Sequence, residues 1–299
     1  MKRIDFIKRS TVVLGASSIG LSVDEGYNMN APKDSSTMQQ SKVCATCGTH
    51  YALNDPIDSC KICEDDRQYI PEGGQLWTTH DQLLKSNSIR ILQIHDKVYE
   101  LQVKPTFAIG QRALFILSDK GNVLWDCIPL LNEATIDFIK AHGGLKAIAF
   151  SHPHYYSNMN EWADAFDCPI YIHQADEEWI VDKGRQVTLW KGEEKQLWDG
   201  IRIVNIGGHF PGSSILHVPF LSKEGSVFCG DTIAIAPSKR HVAVMYSYPN
   251  RIPLPLKETE RIKKRLAAIP FDALYGFYSD QNIIKDAKQL VDKSLARYV

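Results

Sequence analysis

The sequence lacks an excess of charge of either sign: 34 basic and 35 acidic residues in 299 leave a formal net charge of -1. With no basic surplus and no interleaving of aromatic with basic residues, nucleic acid is not a suggested partner. No internal repeat is visible, which sets solenoids and propellers aside. No cysteine precedes residue 44, which argues against a lipid anchor on an N-terminal cysteine. What is present is apolar content, 44% of residues, enough over this length to bury a large core. One large domain with a small appendage is therefore expected.

The first 22 residues, MKRIDFIKRSTVVLGASSIGLS, place Lys2, Arg3, Lys8 and Arg9 ahead of an uncharged run of apolar and small residues. That run is too short and too rich in Ser and Gly to span a bilayer, and it reads as a signal peptide over 1–22. It is similar to a twin-arginine leader through Arg3, Phe6, Ile7 and Lys8, with Ile4 in place of the second arginine. An exported, periplasmic protein with no membrane span in its mature chain is expected. The alternative is a cytoplasmic protein with a frayed N-terminal helix. Residues 23–42, rich in Ser, Asn, Asp and Gln without an apolar period, read as a linker.

Four of the seven cysteines form two C-x-x-C pairs, Cys44 with Cys47 and Cys60 with Cys63. Two such turns present four thiolates, the set a tetrahedral zinc requires, and so small a segment has little core without a metal. A zinc-ribbon-like segment over 43–75 is expected, with two disulfides or a rubredoxin-like iron as alternatives. Cys127, Cys168 and Cys229 lie in apolar surroundings and read as packed thiols.

From residue 76 the pattern is that of an α/β domain. IRILQI, KVYELQV, ALFILSD and NVLWDCI read as four strands of an antiparallel beginning. NEATIDFIKAHGG reads as a helix with Asn132 as N-cap, and LKAIAF as a buried strand. His152 and His154 then fall in the loop at that strand's C-terminal end, where α/β folds place ligands. Two later strands repeat the arrangement, one leading to Gly207-Gly208-His209 and one to Gly230-Asp231. His173, His217 and His241 are weaker candidates, read as a helix cap, a core or neighbouring group, and part of a packed loop or substrate wall.

The run SHPHYYS, the segment GGHFPGSS and CGDT together resemble the metallo-β-lactamase-fold superfamily, whose pattern is H-x-H-x-D-H, then G-H-T-P-G, then G-D, then a last histidine. The resemblance covers residues 76–299. It implies a four-layer αβ/βα sandwich with a metal site along one edge, and Asp126 in the position of an early supporting aspartate. It also implies a split of ligands. His152, His154 and His209 match one metal position, whereas Tyr156, Ser157 and Phe277 stand where the other position has its own ligands. Asp231 is left to complete a single three-histidine, one-aspartate site.

A mononuclear site of this kind can still polarise a substrate oxygen and acidify water. The expected function is hydrolysis of a small-molecule ester, thioester or amide. Asp231 would act as ligand or base, and Tyr155 or Tyr156 would be a hydrogen-bond donor to a developing oxyanion. The expected cofactors are one zinc in the large domain and one on the four cysteines, although iron suits imidazole and carboxylate ligands too. A non-catalytic metal-binding protein and an iron-dependent oxidoreductase are the alternatives. Oligomeric state is not legible in the sequence.

Overall fold

The computed structural model describes residues 41–298, all within one compact unit. The expected signal peptide and nearly all of the linker lie outside the described residues. Among the described residues no helix is long and apolar enough to cross a membrane.

The chain opens with a small antiparallel sheet in which β1 (Ser41–Cys44) lies between β2 (His50–Ala52) and β3 (Trp77–Thr79). Cys44 pairs with Trp77 across it, so the strand after the cysteine segment closes back on the strand that begins it. The short helix α1 (Lys61–Glu64) carries the second cysteine pair. Helix α2 (His80–Ser86) leads out and starts on a capping box in which Thr79 accepts from the Gln82 amide. This satisfies donors that the first helical turn would otherwise leave unpaired.

Seven strands build the first large sheet. β4 (Ser88–His95), β5 (Val98–Lys104), β6 (Arg112–Ile116) and β7 (Val123–Trp125) run antiparallel. After α3 (Glu133–Ala141), β8 (Ala147–Ala149) joins β7 in parallel. After α4 (Met159–Phe166), β9 (Ile170–His173) and β10 (Val187–Trp190) extend the sheet in the same sense. The four expected antiparallel strands, the helix and the buried strand are all present, and Asn132 caps α3 by accepting from the Thr135 amide at 2.9 Å.

The second sheet takes β11 (Glu194–Gln196), β12 (Arg202–Asn205), β13 (Ser214–Val218) and β14 (Ser226–Phe228) in antiparallel order. Two small ribbons follow, β15 (Ala234–Ile235) with β16 (Val242–Ala243) and β17 (Met245–Ser247) with β18 (Ile252–Pro253). Helix α5 (Leu256–Ala267) then returns the chain to β19 (Ala273–Tyr275), which lies parallel to β14. β20 (Asn282–Ile283) and α6 (Ala287–Leu295) end the domain.

The two-residue period of each strand decides which core it feeds. In β7, Val123 and Trp125 point between the sheets and Leu124 points to the layer of α3 and α4. In β12 to β14, Ile203, Leu216 and Phe228 face between the sheets, while Val204, Ile215 and Val227 face α5 and α6. Buried apolar side chains of this size contribute about 1.5–3 kcal/mol each. Three stacked apolar layers thus make the expected four-layer αβ/βα sandwich.

The 41–79 segment rests on this domain by polar contacts. His50 Nε2 lies 3.2 Å from the Pro129 carbonyl, and Ser157 Oγ donates to the Gly48 carbonyl at 2.9 Å.

Candidate metal centre

Three loops at strand ends meet at one edge of the two sheets. His152 precedes and His154 lies within the tight turn after β8, His209 lies between β12 and β13, and Asp231 lies in the turn after β14. The Ser214 amide donates to the Ser151 carbonyl at 2.8 Å and ties the two sheets together at this edge. The turn before Asp231 needs glycine. Gly230 has φ +49°, and a Cβ there would stand 2.3 Å from Ser151 Oγ. Gly208, at φ +90°, holds a conformation that side-chain-bearing residues rarely adopt, and a Cβ there would press on Ile262 Cδ1 at 2.7 Å.

One atom from each of His152, His154, His209 and Asp231 lies within 4.8 Å of every other, and all four residues are buried. Asp231 Oδ2 is 3.6 Å from His152 Nε2, 3.9 Å from His154 Nδ1 and 3.9 Å from His209 Nε2. His209 Nε2 is 3.3 Å from His154 Nδ1, close to the edge of about 3.3–3.4 Å of a tetrahedron with 2.0–2.1 Å metal–nitrogen arms.

Outer partners turn the rings the right way. The Ser151 amide and hydroxyl reach Asp126, at 2.7 Å from Oδ1 for the amide and 2.9 Å from both oxygens for Oγ. With its one proton given to that carboxylate, Ser151 Oγ accepts from His152 Nδ1 at 2.8 Å. Among the described residues His152 Nε2 is then left buried without a hydrogen-bond partner, facing Asp231. His209 Nδ1 donates to the Tyr246 carbonyl at 2.6 Å, which likewise frees its Nε2. Ring nitrogens that face one another and a carboxylate make a donor set that fits a divalent cation.

The electrostatics agree. Burial pushes His152 well below the ordinary histidine range, and burial followed by the neighbouring His154 lowers His209 to about 3. For Asp231, burial opposes ionisation, but His152, His154 and His209 outweigh it and hold the carboxyl below its usual range. Neutral imidazoles at His152 and His209 beside an ionised Asp231 suit a metal.

Of the two candidate tyrosines, Tyr155 is brought to this quartet. Its hydroxyl donates to Asp231 Oδ1, and its ring lies 4.5 Å from that of His152. Tyr156 packs its ring 5.1 Å from Phe150 and lines a cavity of ≈ 330 Å³ with His50, Tyr51 and Trp179. Phe277 is buried beside Tyr248, 6.0 Å between rings, and Tyr248 in turn lies 6.3 Å from His209. His173 caps the turn after β9 by accepting from the Ala175 amide, and His217 Nε2 lies 2.9 Å from the Pro270 carbonyl.

The four N-terminal cysteines form a second cluster, buried and unbonded to one another. Cys44 Sγ lies 3.6 Å from Cys63 Sγ, and Cys47 Sγ lies 3.5 Å from Cys60 Sγ. A tetrahedron of 2.3 Å metal–sulfur arms has edges of about 3.8 Å, whereas a disulfide needs about 2.05 Å. Gln75 Nε2 donates to Cys44 Sγ at 3.2 Å and the Tyr51 hydroxyl to Cys60 Sγ at 3.3 Å, partners suited to thiolates. This set too fits a metal.

Three participants escaped the sequence reading: Ser151, the Tyr246 carbonyl and Arg67, whose Nε donates to the His209 carbonyl at 2.5 Å. Ser151 was readable in principle as the residue between strand and first histidine. The other two act through backbone carbonyls and leave no residue pattern.

Sheets, layers and edge site together define the metallo-β-lactamase fold. The DIM-1 metallo-β-lactamase superposes with a TM-score of 0.53 at 13% identity, over 71% of this chain and 99% of that one. A metallo-β-lactamase from Erythrobacter litoralis does so with a TM-score of 0.51 at 13% identity, over 70% of this chain and 96% of that one. No protein-family model matches the sequence. The chain belongs to the family of the uncharacterized protein YmaE of Bacillus subtilis (strain 168). It is 42% identical to YmaE over 262 residues, covering 86% of this chain and 95% of that protein.

Proposed function

We propose that this protein is a metal-dependent hydrolase of a small ester, thioester or amide. One zinc would sit at His152, His154, His209 and Asp231, and a second, structural zinc at Cys44, Cys47, Cys60 and Cys63. The observation that carries the reading is the convergence of three imidazole nitrogens on Asp231 Oδ2 within a buried loop cluster. The metallo-β-lactamase fold supports the same reaction class. A divalent cation held there supplies Lewis acidity, polarising a substrate oxygen and acidifying water.

The chain's own groups do the rest. Ser151 and the Tyr246 carbonyl hold His152 and His209 as neutral ligands. Asp231, at 8% the most exposed of the four, marks the side from which a substrate approaches. Its two oxygens have separate tasks, Oδ2 toward the histidines and Oδ1 toward the Tyr155 hydroxyl. Asp231 would serve as a ligand through Oδ2 or, turned away from the histidines, as a general base. Tyr155, whose proton is held by burial first and by Asp231 next, remains a donor throughout. It keeps the carboxylate in place or passes its hydrogen bond to a substrate oxygen.

The depth of burial favours one second reading, a non-catalytic metal-binding protein, because four protein ligands close a tetrahedral site. Zinc-loaded protein assayed on activated esters, thioesters and amides separates the two. The hydrolase reading expects turnover of at least one class, lost in His209→Ala. Absence of turnover across the panel, or equal rates in the variant, contradicts it.

A further inference from the structure

The His209 ligand is held from two directions by one segment of the cysteine module. Arg67 follows Cys63 by four residues and is buried to 9% exposure. Its Nε donates to the His209 carbonyl at 2.5 Å, while its NH1 is held by Asp65 at 2.7 and 2.9 Å. Its guanidinium lies over Phe210 at 4.1 Å and Tyr246 at 4.3 Å, contacts that fix a planar cation between two rings.

The second hold is through the backbone. The Tyr246 carbonyl that takes the His209 Nδ1 proton belongs to a loop that reaches back to the same segment. Ser247 Oγ donates to the Arg67 carbonyl at 3.0 Å, and Asn250 Nδ2 donates to the Asp66 and Gln68 carbonyls at 2.8 and 2.9 Å. Both the main chain and the ring orientation of His209 therefore depend on residues 65–68. The four-cysteine cluster fixes the start of that stretch, since Cys63 ends one of its pairs.

We infer that the four-cysteine module is a positioning element for the histidine site, and that Arg67 is its positioning residue. A metal on the cysteines would hold residues 65–68, and those residues would hold His209 in its ligating pose. The inference rests on the two-metal reading above. It goes beyond that reading by coupling two sites that share no ligand.

Cobalt titration of the full chain tests it, because thiolate-bound and imidazole-bound cobalt absorb differently and can be followed separately. Arg67→Met keeps an aliphatic stem between Phe210 and Tyr246 but removes the donor. Asn250→Ala unpins the Tyr246 loop from an exposed position. The expected result is an unchanged thiolate signal in both variants. Affinity at the histidine site should fall about 10–100-fold in Arg67→Met and less in Asn250→Ala, the range seen when an outer partner of a ligand is lost. Arg67→Lys, which cannot serve His209 and Asp65 together, should fall between Arg67→Met and the parent. Histidine-site affinity within twofold of the parent in both Arg67→Met and Asn250→Ala overturns the coupling while leaving the two-metal reading intact. A parent chain that shows only the thiolate signal overturns the two-metal reading, and the inference with it.

Discussion

Ser151 Oγ stands 2.9 Å from both oxygens of Asp126 and 2.8 Å from Nδ1 of His152, so a single hydroxyl joins a buried carboxylate to a candidate metal ligand. The link sets which ring nitrogen carries the proton. Ser151→Ala leaves the His152 ring free to rotate and to change tautomer. Zinc affinity at the histidine site is expected to drop about 10–100-fold with the fold retained. Calorimetric titration alongside circular dichroism checks this, and an unaltered affinity would show that the hydroxyl is incidental.

Arg112 and Glu100 form an ion pair at 2.8 Å with both side chains essentially inaccessible. The same guanidinium donates to the Gly276 carbonyl at 2.6 and 3.1 Å and to Asn282 Oδ1 at 2.7 Å. It therefore fastens the loop that carries Phe277 to β5 and β6. Arg112→Met leaves Glu100 buried with Arg90 and Ser279 as its remaining partners. A loss of about 3–5 kcal/mol in urea unfolding is expected, and a loss below about 1 kcal/mol would place the pair among weak surface bridges.

Asp176 gives a prediction with a definite sign in pH. Its carboxylate accepts from the Gly212 amide at 2.6 Å, and burial is the main cause that pushes its pKa up to about 7. The folded state thus binds a proton that the unfolded chain releases near pH 3.9, so this group's contribution to stability falls as pH rises from about 4 to about 7 and is then constant. Asp176→Asn keeps an acceptor for Gly212 and removes the titration. The variant should gain about 2–3 kcal/mol relative to the parent between pH 5 and pH 8. Parallel stability curves for the two proteins would refute the assignment.

Much of the site was legible because its ligands follow strands. A run such as LKAIAF can only be a short buried strand, and the polar residue after it must emerge at a sheet edge. The glycines at 208 and 230 mark turns whose positive φ disfavours any other residue. What was not legible is long-range. Arg67 meets His209 across 142 residues and Arg112 meets Gly276 across 164, and contacts at such separation leave no period in the sequence. Tyr155 and Tyr156 were indistinguishable as neighbours. Only the turn at Pro153–Tyr155 sends one phenol to Asp231 and the other toward the cavity beside His50. The pairing within the small sheet was not legible for a similar reason, since the meeting of Cys44 with Trp77 depends on where the intervening cysteines fold back.

The central claim is that two separate side-chain clusters each hold one metal ion, and metal content per chain tests it most directly. Elemental analysis of the purified full chain should find about two metal ions, falling to about one in Cys44→Ser and to about one in the double variant His152→Ala, His209→Ala. The ion lost should be the thiolate-bound one in the first case and the imidazole-bound one in the second. A parent chain that holds no metal after equilibration with zinc, or a content unchanged by either substitution, would contradict the account.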